Sequence, residues 1–182
     1  MKVLGLVGLP ASGKGECSRV AEELGIPVVV MGDQIRRYAE AEGLQATDQH
    51  LGTIARRLRN ERGLAAIAEL TIPVIEELHT EFVLIDGIRG DAEVALYRER
   101  FDDFTLIAIE SPFQLRLARL RERGRSDDMV GEADLRSRDE RECGFGLATA
   151  MKEADVIIEN TMTLESFQEE IRCLLKNIGG IR

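Results

Sequence analysis

An α/β fold, a parallel sheet with helices on both faces, is predicted by three observations. Apolar runs and helical patterns alternate along the whole chain. The apolar runs are continuous rather than every-other-residue, as buried parallel strands require. The first of them enters a glycine-rich turn that opens a helix. The runs place five strands, at Lys2–Val7, Ile26–Val30, Glu81–Asp86, Phe104–Glu110 and Asp155–Ile158. Between the second and third lie about fifty residues of helical pattern, more than a crossover needs, so a helical subdomain is expected at about 31–80 over the sheet's carboxyl edge. After the fourth strand, Ser111, Pro112 and Gln114 read as an N-cap, a first-turn proline and a capping-box partner. Residues 122–145 are polar, rich in Arg and Asp, and carry Gly124, Gly131 and Gly144, with Gly146 just beyond. The last helix has Leu164, Phe167, Ile171, Leu174, Leu175 and Ile178 on one stripe, which is core packing. The whole chain, 1–182, reads as one domain with two excursions.

Gly8-Leu9-Pro10-Ala11-Ser12-Gly13-Lys14 carries the strongest chemical signal. Glycines at its ends let the backbone curl until successive N–H groups face an anion. The following helix adds the positive end of its dipole, and Lys14 reaches the terminal phosphates. The placement, where strand hands over to helix, predicts a nucleoside triphosphate site.

Composition narrows the classes. The chain of 182 residues carries a formal charge of −9, which argues against general nucleic-acid binding because phosphate backbones require clustered positive surface. No apolar run approaches a membrane span and no export signal opens the chain, so a cytoplasmic protein is expected. Cys17, Cys143 and Cys173 are odd in number and irregularly spaced, which fits neither a disulfide framework nor a metal site. Cys17 reads as a packed reduced thiol, with a lowered pKa at the helix start as the alternative. His50 and His79 lack liganding neighbours and read as solvated or capping.

Two carboxylates end strands. Asp86 follows Phe82–Ile85 and points toward the loop, where ligands of open α/β sheets bind; a plain Asp-Gly turn with Gly87 is the alternative. Position 15 is glycine where many such loops place the Ser or Thr that holds Mg²⁺, so Asp86 is the expected metal group, acting through water. Asp33 is open to two roles, general base toward a hydroxyl or helix N-cap. Arg36, one turn on, is placed to grip an acceptor phosphate. The chain has 20 Arg against 4 Lys, and eight of those Arg fall between positions 116 and 141, where even spreading gives about three. Planar guanidinium groups bind phosphoryl oxygens in bidentate fashion, so a lid at about 122–145 is expected to close over the triphosphate.

With these pieces in place, the sequence resembles the nucleoside monophosphate kinase branch of P-loop proteins, adenylate kinases in particular. Gly8 to Gly15 resembles that family's loop, including the glycine after the lysine. Met31 to Arg36 is similar to the start of its acceptor region, and Leu84 to Arg89 to its Asp-Gly-x-x-Arg strand end. Pro112–Arg125 and Asp127–Arg138 are similar to its lid flanks, with the lid shortened. Gly32–Arg36, Thr47–Gly52, Gly124–Asp128, Asp139–Glu142 and Ala154–Asn160 resemble archaeal adenylate-kinase-related proteins of unassigned activity. The last strand and Asp33 also resemble dephospho-coenzyme A kinase.

The resemblance implies a P-loop NTPase fold with a helical acceptor-binding insert and a short lid. It implies an enzyme that moves the γ-phosphoryl of ATP, with Mg²⁺, to a small phosphorylated metabolite, a nucleoside monophosphate first. Hydroxyl phosphorylation of the dephospho-coenzyme A kinase type is the alternative, as is a slow NTPase switch acting on a protein or RNA partner. Gly8, Pro10, Ala11, Ser12, Gly13, Lys14, Gly15, Glu16, Arg119, Arg123 and Asn160 are then the nucleotide-binding residues. Lys14, Asp33, Asp86, Arg125 and Arg138 would act on the transferring group, and Asp33, Arg36 and Arg89 on the acceptor. Two departures stand out. The lid lacks a four-cysteine zinc knuckle, and Glu16 replaces the family's Thr, so its carboxylate must meet a cation or turn away from the phosphates.

Overall fold

The computed structural model describes residues 1–123 and 131–180. In chain order the elements are β1 (Lys2–Val7), α1 (Lys14–Glu23), β2 (Val28–Val30), α2 (Met31–Ala41), α3 (Asp48–Arg62), α4 (Ala66–Glu77) and β3 (Phe82–Asp86). Then come α5 (Asp91–Arg100), β4 (Phe104–Glu110), α6 (Phe113–Arg123), α7 (Glu132–Cys143), α8 (Leu147–Lys152), β5 (Val156–Glu159) and α9 (Leu164–Gly179). The five strands form one sheet in the order β2-β3-β1-β4-β5, every pairing parallel. This is the five-stranded parallel sheet expected, with β1 at its centre.

Alternate residues of the strands feed two cores. Val3, Val7, Val83, Ile85, Leu106 and Ala108 face one side, against apolar residues of α2 to α5 and α8. Leu4, Leu6, Leu84, Ile107 and Ile109 face the other, against Cys17, Val20 and Ala21 of α1 and Phe167, Ile171 and Leu175 of α9. Burial on both faces explains why β1, β3 and β4 read as unbroken apolar runs, whereas edge strand β5 leaves Ile157 51% exposed. Leu164 opens α9 but is 52% exposed, so the helix's packed stripe begins at Phe167. Leu174 and Ile178 line the same core at partial burial.

Three local expectations change. β2 is shorter than Ile26–Val30 because the Ile26 N–H donates to the Ala21 carbonyl, closing α1, and Pro27 has no N–H to give a ladder. Only the Pro27 carbonyl joins the sheet, accepting from Leu84. β5 runs one residue later than predicted, to Glu159. Ser111 is not the cap of α6: its hydroxyl donates to the Asn160 carbonyl at 3.0 Å and accepts from Arg119 at 3.0 Å. That exchange ties β4's end to β5's end and has a bearing on the site below.

The strandless interval 31–80 folds as α2, α3 and α4, which pack on one another between β2 and β3. Among the described residues, no helix is long and apolar enough to cross a membrane. None of them forms a cluster of three or more His, Cys, Asp or Glu able to hold a metal ion.

Candidate active site

The turn after β1 is held in an unusual backbone. Gly13, the N-cap of α1, has φ 117°, and a side chain there would meet Asn160 and the ring of Phe167. Ala11 sits at φ 60°, a conformation that costs a non-glycine residue energy and concentrates at ligand sites. No side chain caps α1, which leaves its first amides for a bound anion.

Lys14 begins α1 and folds back over the turn. Its ammonium donates to the carbonyls of Gly8 and, at 3.2 Å, Leu9. Burial lowers its pKa from 10.5 to about 8, opposed by the nearby carboxylates of Asp86 and Glu142 and assisted by Arg89 and Arg138. Five charged groups from α1, the end of β3, the following loop and α7 therefore converge on one place, three cations against two carboxylates. In a chain of net charge −9 this is a local excess of positive charge. A triphosphate settling on Lys14 stabilises the ammonium and raises its pKa. Nucleotide binding is accordingly expected to take up a proton at pH 8.5 to 9 and almost none at pH 6.5. Calorimetry in buffers of different ionisation enthalpy reads this directly.

Asp86 is the last residue of β3 and pairs in register with Leu6 on one side and Val30 on the other. Its Oδ2 accepts from the Ser18 hydroxyl of α1 at 2.9 Å. The turn that follows holds Gly87 at φ 102°, close against Met31 at the start of α2. Both the turn and the carboxylate roles considered for Asp86-Gly87 are thus compatible with its geometry.

Arg89, expected to grip an acceptor, donates to the buried carboxylate of Glu142 on α7 at 2.5 Å. Its backbone N–H donates to Glu93 at 2.7 Å, and Glu93 also pairs with Arg59 of α3 at 3.0 Å, both of those side chains buried. Arg59 in turn lies over the Phe145 ring at 5.0 Å. The helical insert, the strand end and α7 with the residues after it are thereby joined.

On the other side of the turn, Arg116 is 3% exposed and makes a bidentate pair with Asp139 of α7, at 2.8 and 2.6 Å. It also donates to the carbonyls of Pro10 and Ser111, each at 3.1 Å. Arg119 donates to Ser111 Oγ and to the carbonyl and side-chain oxygen of Asn160, while Asn160 Nδ2 donates to the Ser12 carbonyl at 2.8 Å. The structure thus brings Arg119 and Asn160 to the loop, where they grip its backbone. Leu117, Leu120 and Leu135 pack with Ala11 and Phe113 beneath them.

Other expected residues take different positions. The Glu16 carboxylate turns to Arg19 and to Gln168 of α9 at 3.0 Å, resolving the repulsion its place in the motif implied by pointing away from the loop. Asp33 does not cap α2: the helix starts at Met31, Val30 is its N-cap, and no side chain bonds that terminus. Asp33 instead forms an exposed ion pair with Arg36 on the same helix face. Arg138 lies on α7 within electrostatic reach of Lys14. Arg123 ends α6, and Arg125 lies outside the described residues. The Cys17 thiol is buried and pushed up to about 12 by that burial and then by Asp86, the reverse of an activated thiol. His50 helps shape the start of α3, its N–H donating to Thr47.

Ser18, Glu142 and the Arg116–Asp139 pair were not singled out from sequence. Ser18 had a readable signal, since it lies three residues past Gly15 and hence on the same helix face. The residues fit a magnesium–nucleotide complex. Mg²⁺ keeps most of its water and takes one or two carboxylates with substrate phosphates, and Asp86 beside a cationic phosphate turn supplies that donor set.

Sheet order, turn and neighbouring carboxylate together define a P-loop kinase-like fold. Among solved structures, TT1252 from Thermus thermophilus matches with a TM-score of 0.65 at 17% identity over 97% of both chains. Dephospho-CoA kinase from Campylobacter jejuni matches at 0.62 and 18% identity, over 99% of both. Shikimate kinase from Aquifex aeolicus matches at 0.53 and 19%, over 97% of this chain and 98% of that one. The AAA domain profile covers residues 7–136. A UPF0200 protein of Methanoculleus marisnigri is 55% identical over 180 residues, 99% of this chain and 98% of that protein. Another from Methanosarcina mazei is 46% identical over 178 residues, 97% and 95% of the two chains. The chain belongs to the AAA domain family and, more narrowly, to the UPF0200 proteins.

Proposed function

We propose that this protein is an ATP-dependent phosphotransferase that moves the γ-phosphoryl group to a small phosphorylated acceptor, first among them a nucleoside monophosphate. The observation that carries this reading is Lys14 folded over the turn, with the Asp86 carboxylate tied to the same helix through Ser18 and Arg89 and Arg138 within electrostatic reach. In this reading the turn amides and Lys14 hold the β- and γ-phosphates, and Asp86 orients the water shell of Mg²⁺. When bound, the cation neutralises charge on the two terminal phosphates. Arg138, with Arg119, Arg123 and Arg125 from the other lid flank, neutralises the transferring group, and Arg36 and Arg89 receive the acceptor. Each of those acceptor-side arginines is paired with a carboxylate, Asp33 or Glu142, that an acceptor phosphate would replace.

A second reading, transfer to a hydroxyl, is favoured by Asp33. Its carboxylate has no capping duty and stands exposed at the carboxyl edge of the sheet, where a base is needed. Likeness to dephospho-CoA kinase and shikimate kinase is consistent with that version.

The deciding experiment incubates the protein with ATP and Mg²⁺ over nucleoside monophosphates, dephospho-coenzyme A and small sugars, with an acceptor-free control. Acceptor-dependent ADP release supports the transferase. Hydrolysis indifferent to every acceptor supports a switch acting on a protein or RNA partner, and nucleotide binding without turnover removes the enzyme altogether. On the acceptor found, Asp33→Asn is expected to lower kcat at least ~10²-fold for a hydroxyl and only a few fold for a phosphate oxygen, which is already ionised.

A further inference from the structure

We propose that Ser18 is a positioning residue for the divalent cation, holding the Asp86 carboxylate in the orientation that receives the cation's water shell. The inference rests on the phosphotransferase reading and names a residue which that reading does not require. It starts from an absence in the sequence. Gly15 has no side chain where a hydroxyl would stand beside the terminal phosphates. A hydroxyl appears on the same face of α1 one turn further in, about 4.5 Å along the axis, at Ser18. From there it meets Asp86, 68 residues away in sequence, at 2.9 Å.

The chemistry of the pair sets its direction. Ser18 has one proton and two acceptors near it, the Lys14 carbonyl at 3.3 Å and Asp86 Oδ2 at 2.9 Å. An ionised carboxylate is the stronger acceptor, so the proton goes to Asp86. Among the described residues Ser18 is the side chain that hydrogen-bonds Asp86, and it does so through one oxygen, leaving Oδ1 for a metal-bound water. Without that bond the carboxylate rotates about its own side-chain torsions and swings toward the nearby Lys14 ammonium. An outer partner of this kind typically changes metal affinity 10- to 100-fold.

Position 15 offers a complementary variant. A Cβ added to Gly15 meets no atom within 4 Å, so a side chain can start there without displacing a neighbour. The test measures Mn²⁺ binding by electron paramagnetic resonance, in the presence of a non-hydrolysable ATP analogue. The proteins are the wild type, Ser18→Ala, Ser18→Thr, Gly15→Ser and the Gly15→Ser/Ser18→Ala double variant. Ser18→Ala is expected to weaken Mn²⁺ binding about 10-fold or more while its affinity for the analogue in EDTA stays at the wild-type value. Ser18→Thr retains Mn²⁺ affinity because the hydroxyl remains. Gly15→Ser restores it in the Ser18→Ala background by offering the metal a nearer hydroxyl. Wild-type Mn²⁺ affinity in Ser18→Ala overturns the proposal, as does an equal loss of analogue binding with and without metal, which marks a damaged turn. Failure of the functional reading looks different: acceptor-dependent turnover is then missing from the wild type while the Mn²⁺ series is unchanged, and only a wild type that binds no analogue takes the proposal down with it.

Discussion

Lys14→Met is expected to lower phosphoryl transfer by about 10³-fold or more and, at the same time, to make the unliganded protein more stable. The first effect follows from the position of the ammonium, the cation through which α1 meets the turn and the one on which the neighbouring charges converge. The second follows from its pKa, held at about 8 against 10.5 in the unfolded chain. A lysine with a depressed folded pKa favours the folded state above its unfolded value, and that contribution is lost as the pH falls through about 8. At pH 7 the charged ammonium is thus buried at a cost on the order of 1–2 kcal/mol after solvent screening, and methionine removes the cost. Thermal melts at pH 7 and pH 9.5, alongside a turnover assay, check both halves. The stabilisation should shrink at the higher pH, where Lys14 is already largely neutral in the folded protein. A variant that is inactive but less stable at pH 7 would mean that the ammonium's ties to Gly8 and Leu9 outweigh its burial.

Arg116→Met is the second large effect, and it is expected to run the opposite way on stability. The guanidinium is 3% exposed and satisfies Asp139 with two bonds and the Pro10 and Ser111 carbonyls with one each. Removing it leaves a mostly buried carboxylate and two carbonyls without their partner, a loss of about 3–5 kcal/mol. For a protein of this size that is a fall in Tm of roughly 10 °C. Arg116→Lys should not rescue it, because an ammonium cannot span both oxygens of Asp139 and reach the loop. Removing both charges, Arg116→Met with Asp139→Leu, should recover much of the stability beside Leu117, Leu120 and Leu135. Activity should stay low in the double variant, since the Pro10 carbonyl is still ungripped. Full recovery of both would assign the arginine to packing alone.

The scaffold was readable from sequence because its signals are local. Val28–Val30, Phe82–Ile85 and Val156–Ile158 each announce a strand within a few residues, and β1 and β4 fall at their expected bounds. What misled was also local but ambiguous. Ile26 has a strand former's side chain, yet its N–H is already committed to α1. Ser111 and Gln114 satisfy a capping-box spacing, yet Asn160 and Arg119 compete for the serine hydroxyl from 49 and 8 residues away. Asp33 looks equally like a cap or a base until the helix is seen to begin two residues before it.

In the site, the readable parts were those that terminate a strand or lie in one continuous motif: the turn, Lys14 and Asp86. Ser18, Glu142 and Arg116 acquire meaning only through partners 68, 53 and 23 residues away, and an acid or a hydroxyl on a polar helix has nothing to mark it out beforehand. The arginine excess at 116–141 was visible, but its division of labour was not. Arg116 donates directly to the turn's Pro10 carbonyl, Arg119 reaches the turn through Asn160, and Arg138 lies within electrostatic reach of Lys14.

The central seat of β1 has a consequence for how such a protein diversifies. The strand that ends in the phosphate turn is flanked by β3, which leads out of the α2–α4 insert, and by β4, which leads into the α6–α7 region. The helical insert and the α6–α7 region therefore attach on opposite sides of the central strand. Either can lengthen, shorten or change its chemistry while the register of β1 with its neighbours stays as it is. Swapping the 31–80 module between relatives should retune acceptor choice without dismantling the machinery that handles the nucleotide.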